Sequence, residues 1–215
     1  MPTFPAPRPI AVTADILRGN VTVIATDRTE AVVRVLPTDE SKKNDVRAAD
    51  QTRVDFIAGI LTVKTPKDWR THTPFGGNNH SIEVTIEVPT GSRLKATVSM
   101  GRLSSTGALD QCDLELTSGD ITVEHALGSV TAKTTKGNIR IGEAARGELR
   151  LETAMGELEV GIRPGSAAWL ETNAQYGTVR NLMQPVDRPA EHADIVRVYA
   201  RNSFGNIIIR HATAV

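Results

Sequence analysis

Apolar and polar residues alternate in short runs through the second half of the chain, and a single glycine interrupts each pair of runs. Around Gly119, for example, Leu114, Leu116, Ile121 and Val123 alternate with polar neighbours. Alternation with a period of two places one side of a strand inward and the other side in water. The pattern therefore predicts a unit of strand, polar turn with glycine, and second strand.

This unit recurs at a nearly constant spacing. The glycines at 101, 119, 137, 156 and 177 are 18, 18, 19 and 21 residues apart, and Gly205 follows after 28. One unit cannot bury its apolar side alone, whereas stacked units share a core. We predict an all-β protein with a β-solenoid over residues 91–215; the alternative is an antiparallel sandwich of glycine-turn hairpins. The predicted structural repeat glycines are Gly19, Gly59, Gly101, Gly119, Gly137, Gly156, Gly177 and Gly205.

The corner of each unit has a simple physical explanation. Glycine permits a positive φ, or a close approach of backbone, where the chain turns between the two strands. The residue after the glycine is usually polar, as in Asp120, Asn138 and Asn206. Such side chains fit a turn by hydrogen-bonding to local backbone.

Residues 1–90 carry the unit more loosely and predict an N-terminal antiparallel sheet region. Two copies lie here, and the alternating runs 31–36 and 82–88 are typical of hairpin partners. Ser41 is expected to cap a short helix over residues 41–49. We place a soft boundary near residue 90 and expect one continuous core across it.

The glycine-centred units resemble a bacterial β-strand-repeat family of unknown function that is labelled "putative adhesin". Further segments are also similar to that family, namely 45–54, 73–77 and 87–92, together with the closing segment 203–207. The resemblance covers nearly the whole chain and implies a right-handed β-helix-like or solenoid fold. It supplies no catalytic residue.

The segment 67–80 is the candidate for partner binding. It is a long polar stretch in which aromatic rings stand beside basic groups, and long loops without regular structure tend to carry function. An exposed Trp69 or Phe75 would anchor a protein partner, and Arg70 and His72 lie between them. The alternative is that both rings fold back and plug an end of the solenoid.

Composition narrows the classes of function. The chain has 25 basic and 25 acidic side chains, so it shows no excess of the positive charge that nucleic-acid binding requires. No apolar run approaches the roughly 20 residues that span a bilayer, and the proline-rich N-terminus lacks the apolar run of a signal peptide. Cys112 is the single cysteine. We expect a cytoplasmic protein that binds neither nucleic acid nor membrane.

Groups that could carry chemistry are explained more simply by structure. His72, His80 and Asp68 share one segment, but they lack the helical spacing or cysteine partners of a zinc site. Ser118 lies inside the repeat, and the chain has no nucleophile elbow or phosphate-binding loop. Asp120 lacks the second glycine of calcium-binding β-rolls. We predict no catalytic residue, no metal and no cofactor.

Three functions remain as hypotheses. The first is a non-enzymatic binding or scaffold module with an unidentified protein partner, and the second is a secreted or cell-surface adhesin. The third, an enzyme acting on polysaccharide, needs paired carboxylates in a groove. The C-terminal strand at 207–209 has no evident cap, so self-association through the solenoid ends is a further hypothesis. The outward acids that could line a groove are Glu115, Asp120, Glu152, Glu157 and Glu159.

Overall fold

The computed structural model of this chain describes residues 1–66, 80–183 and 194–213, and within them it contains eighteen strands and one helix. In chain order the elements are β1 (Thr3–Pro5), β2 (Ala11–Thr26), β3 (Glu30–Pro37), α1 (Lys43–Gln51), β4 (Arg53–Ile57), β5 (Ile60–Lys64), β6 (Ile82–Pro89), β7 (Arg93–Met100), β8 (Leu103–Leu109), β9 (Cys112–Ser118), β10 (Ile121–Ala126), β11 (Val130–Lys136), β12 (Ile139–Ala144), β13 (Gly147–Met155), β14 (Leu158–Ile162), β15 (Ala167–Tyr176), β16 (Val179–Asn181), β17 (Ile195–Phe204) and β18 (Ile207–His211).

Two largely parallel sheets, A and B, enclose a common apolar core. Each coil contributes a strand to sheet B, turns a corner, and contributes a strand to sheet A. β2 does this as one 16-residue strand that passes from sheet B to sheet A at Gly19. Because equivalent strands of successive coils pair in parallel, the repeat forms the predicted β-solenoid and not a sandwich of antiparallel hairpins.

Eight coils are seen in the described residues, and their order along the stack departs from chain order at both ends. Coil 1 is β5 with β6, and coil 2 is β2. Coil 3 is β7 with β8, coil 4 is β9 with β10, coil 5 is β11 with β12 and coil 6 is β13 with β14. Coil 7 is β17 with β18, and coil 8 is β15 with β16. The C-terminal strand β18 therefore lies between β14 and β16. The expectation that residues 207–209 form an uncapped end is wrong, because coil 8 covers them.

Equivalent inward residues of successive coils stack into columns that fill the core. Burying each such aliphatic side chain stabilises the fold by about 1.5–3 kcal/mol. The buried cluster runs without a break from Ala6 in the N-terminal region to Ile209 in coil 7. One column of sheet B contains Val12, Leu94, Cys112, Val130, Leu149 and Val198, and one of sheet A contains Val21, Leu103, Ile121, Ile139, Leu158 and Ile207.

Antiparallel strands extend both sheets beyond coil 1. In sheet A, β3 pairs with β6 and β1 pairs with β3, while in sheet B β4 pairs with β5. The β4–β5 turn consists of Ala58 (φ 50°) and Gly59 (φ 78°). A two-residue hairpin turn of this type needs positive φ at both positions. Gly59 was expected among the repeat glycines, but it closes this hairpin instead.

The helix α1 packs against β3 and begins later than expected. Its N-cap is Lys42, whose side chain makes no capping bond. Ser41 does not cap the helix, because its hydroxyl donates to the nearby Asp39 carboxylate (2.6 Å). Asp45 in the first turn is buried and accepts a hydrogen bond from the Ser81 N–H (2.9 Å). This bond ties the helix to the start of β6. Within the described ranges, no helix has the length and apolar character to cross a bilayer.

Candidate binding face

The repeat glycines form a stack along the corner between the two sheets. In stack order they are Gly19, Gly101, Gly119, Gly137, Gly156, Gly205 and Gly177. A β-carbon on any of the last six would lie 1.6–1.9 Å from the carbonyl oxygen of the glycine before it. The absence of a side chain is therefore what lets consecutive coils approach at this corner, and these residues have a structural role.

The polar residues after these glycines also hold coils together. The Asp120 carboxylate accepts from the Asn138 N–H (2.8 Å), and the Asn138 side-chain oxygen accepts from the Glu157 N–H (2.7 Å). The Asn206 side-chain oxygen accepts from the Thr178 N–H in the same way (3.1 Å). The expectation of bonds to local backbone is wrong: each bond reaches the next coil.

The five outward acids that could line a groove lie on different parts of the solenoid. Glu115 and Glu152 lie on sheet B, and Lys133 stands between them in register. The Lys133 Nζ atom is 3.4 Å from the Glu152 Oε2 atom. Glu159 lies on sheet A, where it accepts a hydrogen bond from Arg210 (2.7 Å). Asp120 and Glu157 lie at the corner. The acids are thus distributed over two sheets and a corner. Several of them pair with a cation or accept a hydrogen bond from a backbone N–H group.

Of the predicted partner-binding segment, only His80 is described; Trp69, Arg70, His72 and Phe75 lie outside the described residues. The pKa of His80 is lowered, first by burial and then by the charge of Arg18, while Asp45 acts in the opposite direction. Across residues 1–66, 80–183 and 194–213, no three His, Cys, Asp or Glu side chains are placed to hold a metal ion.

Aromatic rings collect in coils 7 and 8, on the outer side of sheet B and at its edge beside the glycine corner. The chain has four Phe, two Trp and two Tyr residues, and half of these eight rings lie here. Trp169 on β15 packs edge-on against Tyr199 on β17, with ring centroids 5.3 Å apart. The Arg150 guanidinium on β13 lies 4.7 Å from the Tyr199 ring centre. These three side chains form a first row that runs across three coils.

A second row runs parallel to the first, nearer the glycine corner. Tyr176 stacks on Phe204 at 4.9 Å with nearly parallel planes, and Met155 is next in register. These side chains are 62%, 52% and 52% exposed. Tyr199 and Phe204 are five residues apart on one strand, so the rows are separated by about 17 Å. We call the two rows together the aromatic face.

A shallow groove of about 280 Å³ lies between the two rows. Polar side chains form much of its surface, and Lys133 and Glu152 make an ion pair across it. Trp, Tyr and Arg, the residue types enriched at protein-interface hot spots, lie on the two sides of this polar groove. The polar lining residues include Lys133, Thr135, Glu152, Asn173, Gln175 and Arg201.

The sequence carries a signal for Trp169, because it alternates with Ala168 and Leu170 and an outward position on the strand follows. Trp169 does point outward, and it is 49% exposed. A signal for the second row was present in the repeat, because the residue before the corner glycine is Met155, Tyr176 or Phe204 in the last three copies. The register of coils 6 to 8 brings these three residues into one row.

Comparisons with known proteins identify a family from the sequence and a similar fold among solved structures. A family model described as Toastrack DUF4097 matches residues 10–161. A putative cell adhesion protein from Clostridium sporogenes ATCC 15579 has a similar structure, with a TM-score of 0.51, 11% identity and 98% coverage of both chains. A putative adhesin from Bacteroides fragilis NCTC 9343 gives a TM-score of 0.40 and 10% identity over 97% of this chain and 95% of that one. No curated protein matches the chain. At such identities the Clostridium structure supports the fold alone.

Proposed function

This chain belongs to the Toastrack family, and from that premise we propose that it is a non-enzymatic binding or scaffold module. Its proposed ligand is a protein, held on the aromatic face of sheet B. The observation that carries the proposal is the pair of exposed aromatic rows, with Arg150 at the inner end of the first row.

The physical reason is that a contiguous patch of exposed rings gains free energy when a partner covers it. Trp169, Tyr176 and Phe204 are about half exposed, although neighbouring outward positions on sheet B carry charged or amide side chains. Rigid aromatic side chains and arginine give most of the binding energy at protein interfaces, while surrounding polar groups exclude water and fix the register. The groove supplies such polar groups.

The test is quantitative capture of proteins from lysate of the native cell. The full chain is immobilised and compared with Trp169→Ala/Tyr176→Ala, and retained proteins are measured by mass spectrometry. Truncating a hot spot costs about 2 kcal/mol or more, so at least one retained protein should fall by roughly thirtyfold. Ile57→Ala is the matched control, because Ile57 is an exposed apolar residue at the other end of the stack. Identical retention by all three proteins would overturn the proposal.

The segment 67–80 enters the same experiment as a second proposed contact. Trp69→Ala/Phe75→Ala should lower retention if this segment reaches the partner, with Arg70 and His72 contributing polar contacts. Unchanged retention for this variant would remove the segment from the interface and leave the aromatic face as the binding surface.

We place this module in the cytoplasm, and adhesion at the cell surface is the second candidate. The name given to the Clostridium structure favours adhesion for that protein. Fractionation of the native cell separates the two candidates. Recovery with the cytosolic proteins supports the first, whereas recovery from the cell wall or the medium would replace it with the second.

A further inference from the structure

In the part of the chain that the structure describes, the coil 8 end of the solenoid presents two strand edges and the edge of the core. Among the described residues β15 pairs only with β17, and β16 pairs only with β18. None of the thirteen residues in these two strands is buried. In register with them, Val198 and Ile207 of coil 7 are completely buried. Coil 8 therefore covers coil 7 while its own inner side chains remain half exposed.

The other end of the stack carries the usual protection against edge pairing. Sheet A ends there in β1, which has three residues and contains Pro5, and sheet B ends in the five-residue β4, which carries Arg53 and Asp55. Short strands, prolines and charges are the features that keep edges from pairing with other chains. β15 has ten residues, no proline and no lysine, and Glu171 is its single charge.

A partner for this end has to cover both sheets at once. One added strand would pair with β15 or with β16, and the core between them would stay open. Packed sheets lie about 10 Å apart, so the partner must offer two strand edges at that separation. The same end of a second copy has this form.

From this we infer that two copies of the chain associate end to end through coil 8, about a two-fold axis that pairs β15 antiparallel with β15. The charges allow this arrangement, because Glu171 and Arg180 in the two strands of coil 8 balance one another. With the axis near Thr172, Leu170 faces Ala174 on the core side and Glu171 faces Asn173 on the outer side. Apolar groups then meet apolar groups, and the two glutamates do not face each other.

The dimer also has a consequence for the binding surface. Sheet B becomes continuous across the axis, so the aromatic faces of the two copies lie side by side. The inference rests on the edges of coil 8 and does not depend on the proposed function. If an aromatic-face variant loses partner capture and keeps the dimer mass, the proposed function stands apart from the dimer. If a variant loses the dimer mass and keeps partner capture, the dimer stands apart from the proposed function.

The experiment measures the mass of the full chain by light scattering and sedimentation over a range of concentrations. The expected mass is twice the 23.2 kDa of the monomer. Thr172→Lys places a charge on the core side of β15, where it can reach water in the monomer but would be sealed in the dimer. This variant should be monomeric, while Thr172→Val, which keeps the shape, should remain dimeric. Ile57→Lys adds the same charge at the opposite end and should also remain dimeric.

Hydrogen exchange supplies a second measurement that does not depend on how well the lysine variant folds. In the wild-type chain, dilution separates the two copies, so the backbone amides of β15 should exchange faster. The exchange rates of the β4 amides should not change. A 23.2 kDa wild-type species at every concentration, a folded Thr172→Lys variant that stays dimeric, or open-ended polymers would each overturn the inference.

Discussion

The carbonyl oxygen of Gly119 lies 1.8 Å from the position that a β-carbon on Gly137 would occupy. Because that oxygen belongs to the backbone, it can move only if coil 4 shifts against coil 5. Gly137 also has a φ of 146°, which side-chain-bearing residues rarely adopt. We expect Gly137→Ala to lower the free energy of unfolding by about 3 kcal/mol or more, as measured by urea denaturation.

Gly59→Ala is the control for that prediction. Gly59 also has a positive φ (78°), but a β-carbon there would meet no atom within 4 Å. The expected loss is the backbone strain alone, about 1–2 kcal/mol. Equal losses for the two variants would mean that the close approach of coils at the corner adds nothing.

Polar side chains within the core also donate hydrogen bonds to the carbonyl oxygens of the corner glycines. The buried Thr153 hydroxyl donates to the carbonyl oxygen of Gly137 (3.0 Å), and the Asn202 amide donates to that of Gly156 (2.7 Å). Thr153→Val keeps the shape and removes the donor. We expect it to lower the free energy of unfolding by about 1 kcal/mol, measured by thermal and urea denaturation.

Ser105 offers a matched comparison in sheet A. Its hydroxyl is buried and has no hydrogen-bond partner among the described residues, and its neighbours in register are Val23 and Val123. Ser105→Ala should therefore leave stability unchanged or raise it. If Ser105→Ala lowered the free energy of unfolding as much as Thr153→Val does, the loss in Thr153→Val could not be assigned to the hydrogen bond between Thr153 and Gly137.

The single cysteine should report global unfolding. Burial, with a smaller effect from Asp110, raises the pKa of the Cys112 thiol to about 12. Only about one thiol in 10⁴ would be ionised at pH 8, and the thiolate is the reactive form. We expect no reaction of the folded chain with a disulfide reagent at pH 8 and complete reaction in denaturant. Asn173→Cys, on the exposed edge, should react at once; a fast reaction of the wild-type chain would contradict the burial of Cys112.

Stability should fall on acidification partly because of His80. In the folded chain its pKa is lowered from the ordinary value of 6.5, so the unfolded chain binds more protons as the pH falls. The folded state therefore loses stability as the pH drops through about 6.5 toward the folded-state pKa. The measurement compares the pH dependence of urea unfolding for wild type and His80→Gln. The variant should lose less stability over this window, and identical profiles would show that His80 does not contribute.

The solenoid itself was predictable, because period-two alternation and a recurring glycine allow few other structures. The order of its coils was harder to predict, since a chain segment can stack on either neighbour. One difference lies in the inner residues: β17 has Val196 at the position where β15 has Ala168. In sheet A, Ile209 of β18 corresponds to Asn181 of β16. The more apolar copy takes the buried place, and the weaker copy lies at the end.

The aromatic face could be predicted only in part. Alternation indicates that Trp169 and Tyr199 point outward, but it does not reveal that β15 and β17 are adjacent to each other and to β13. The cation over Tyr199 illustrates this limit, since Arg150 is 49 residues away in the sequence and becomes its neighbour only through the parallel register. Surface clusters of this kind depend on coil order, which local pattern does not encode.

The inverted order of coils 7 and 8 has a consequence for synthesis. Coils 3 to 6 can each dock on the previous coil as the chain leaves the ribosome, since their order in space follows their order of translation. Coil 8 is translated before coil 7, although its strands pair with β17 and β18 of coil 7. The strands β15 and β16 therefore have no native partner until β17 and β18 have been made. Coil 8 can join the stack only after the coil that follows it in the chain.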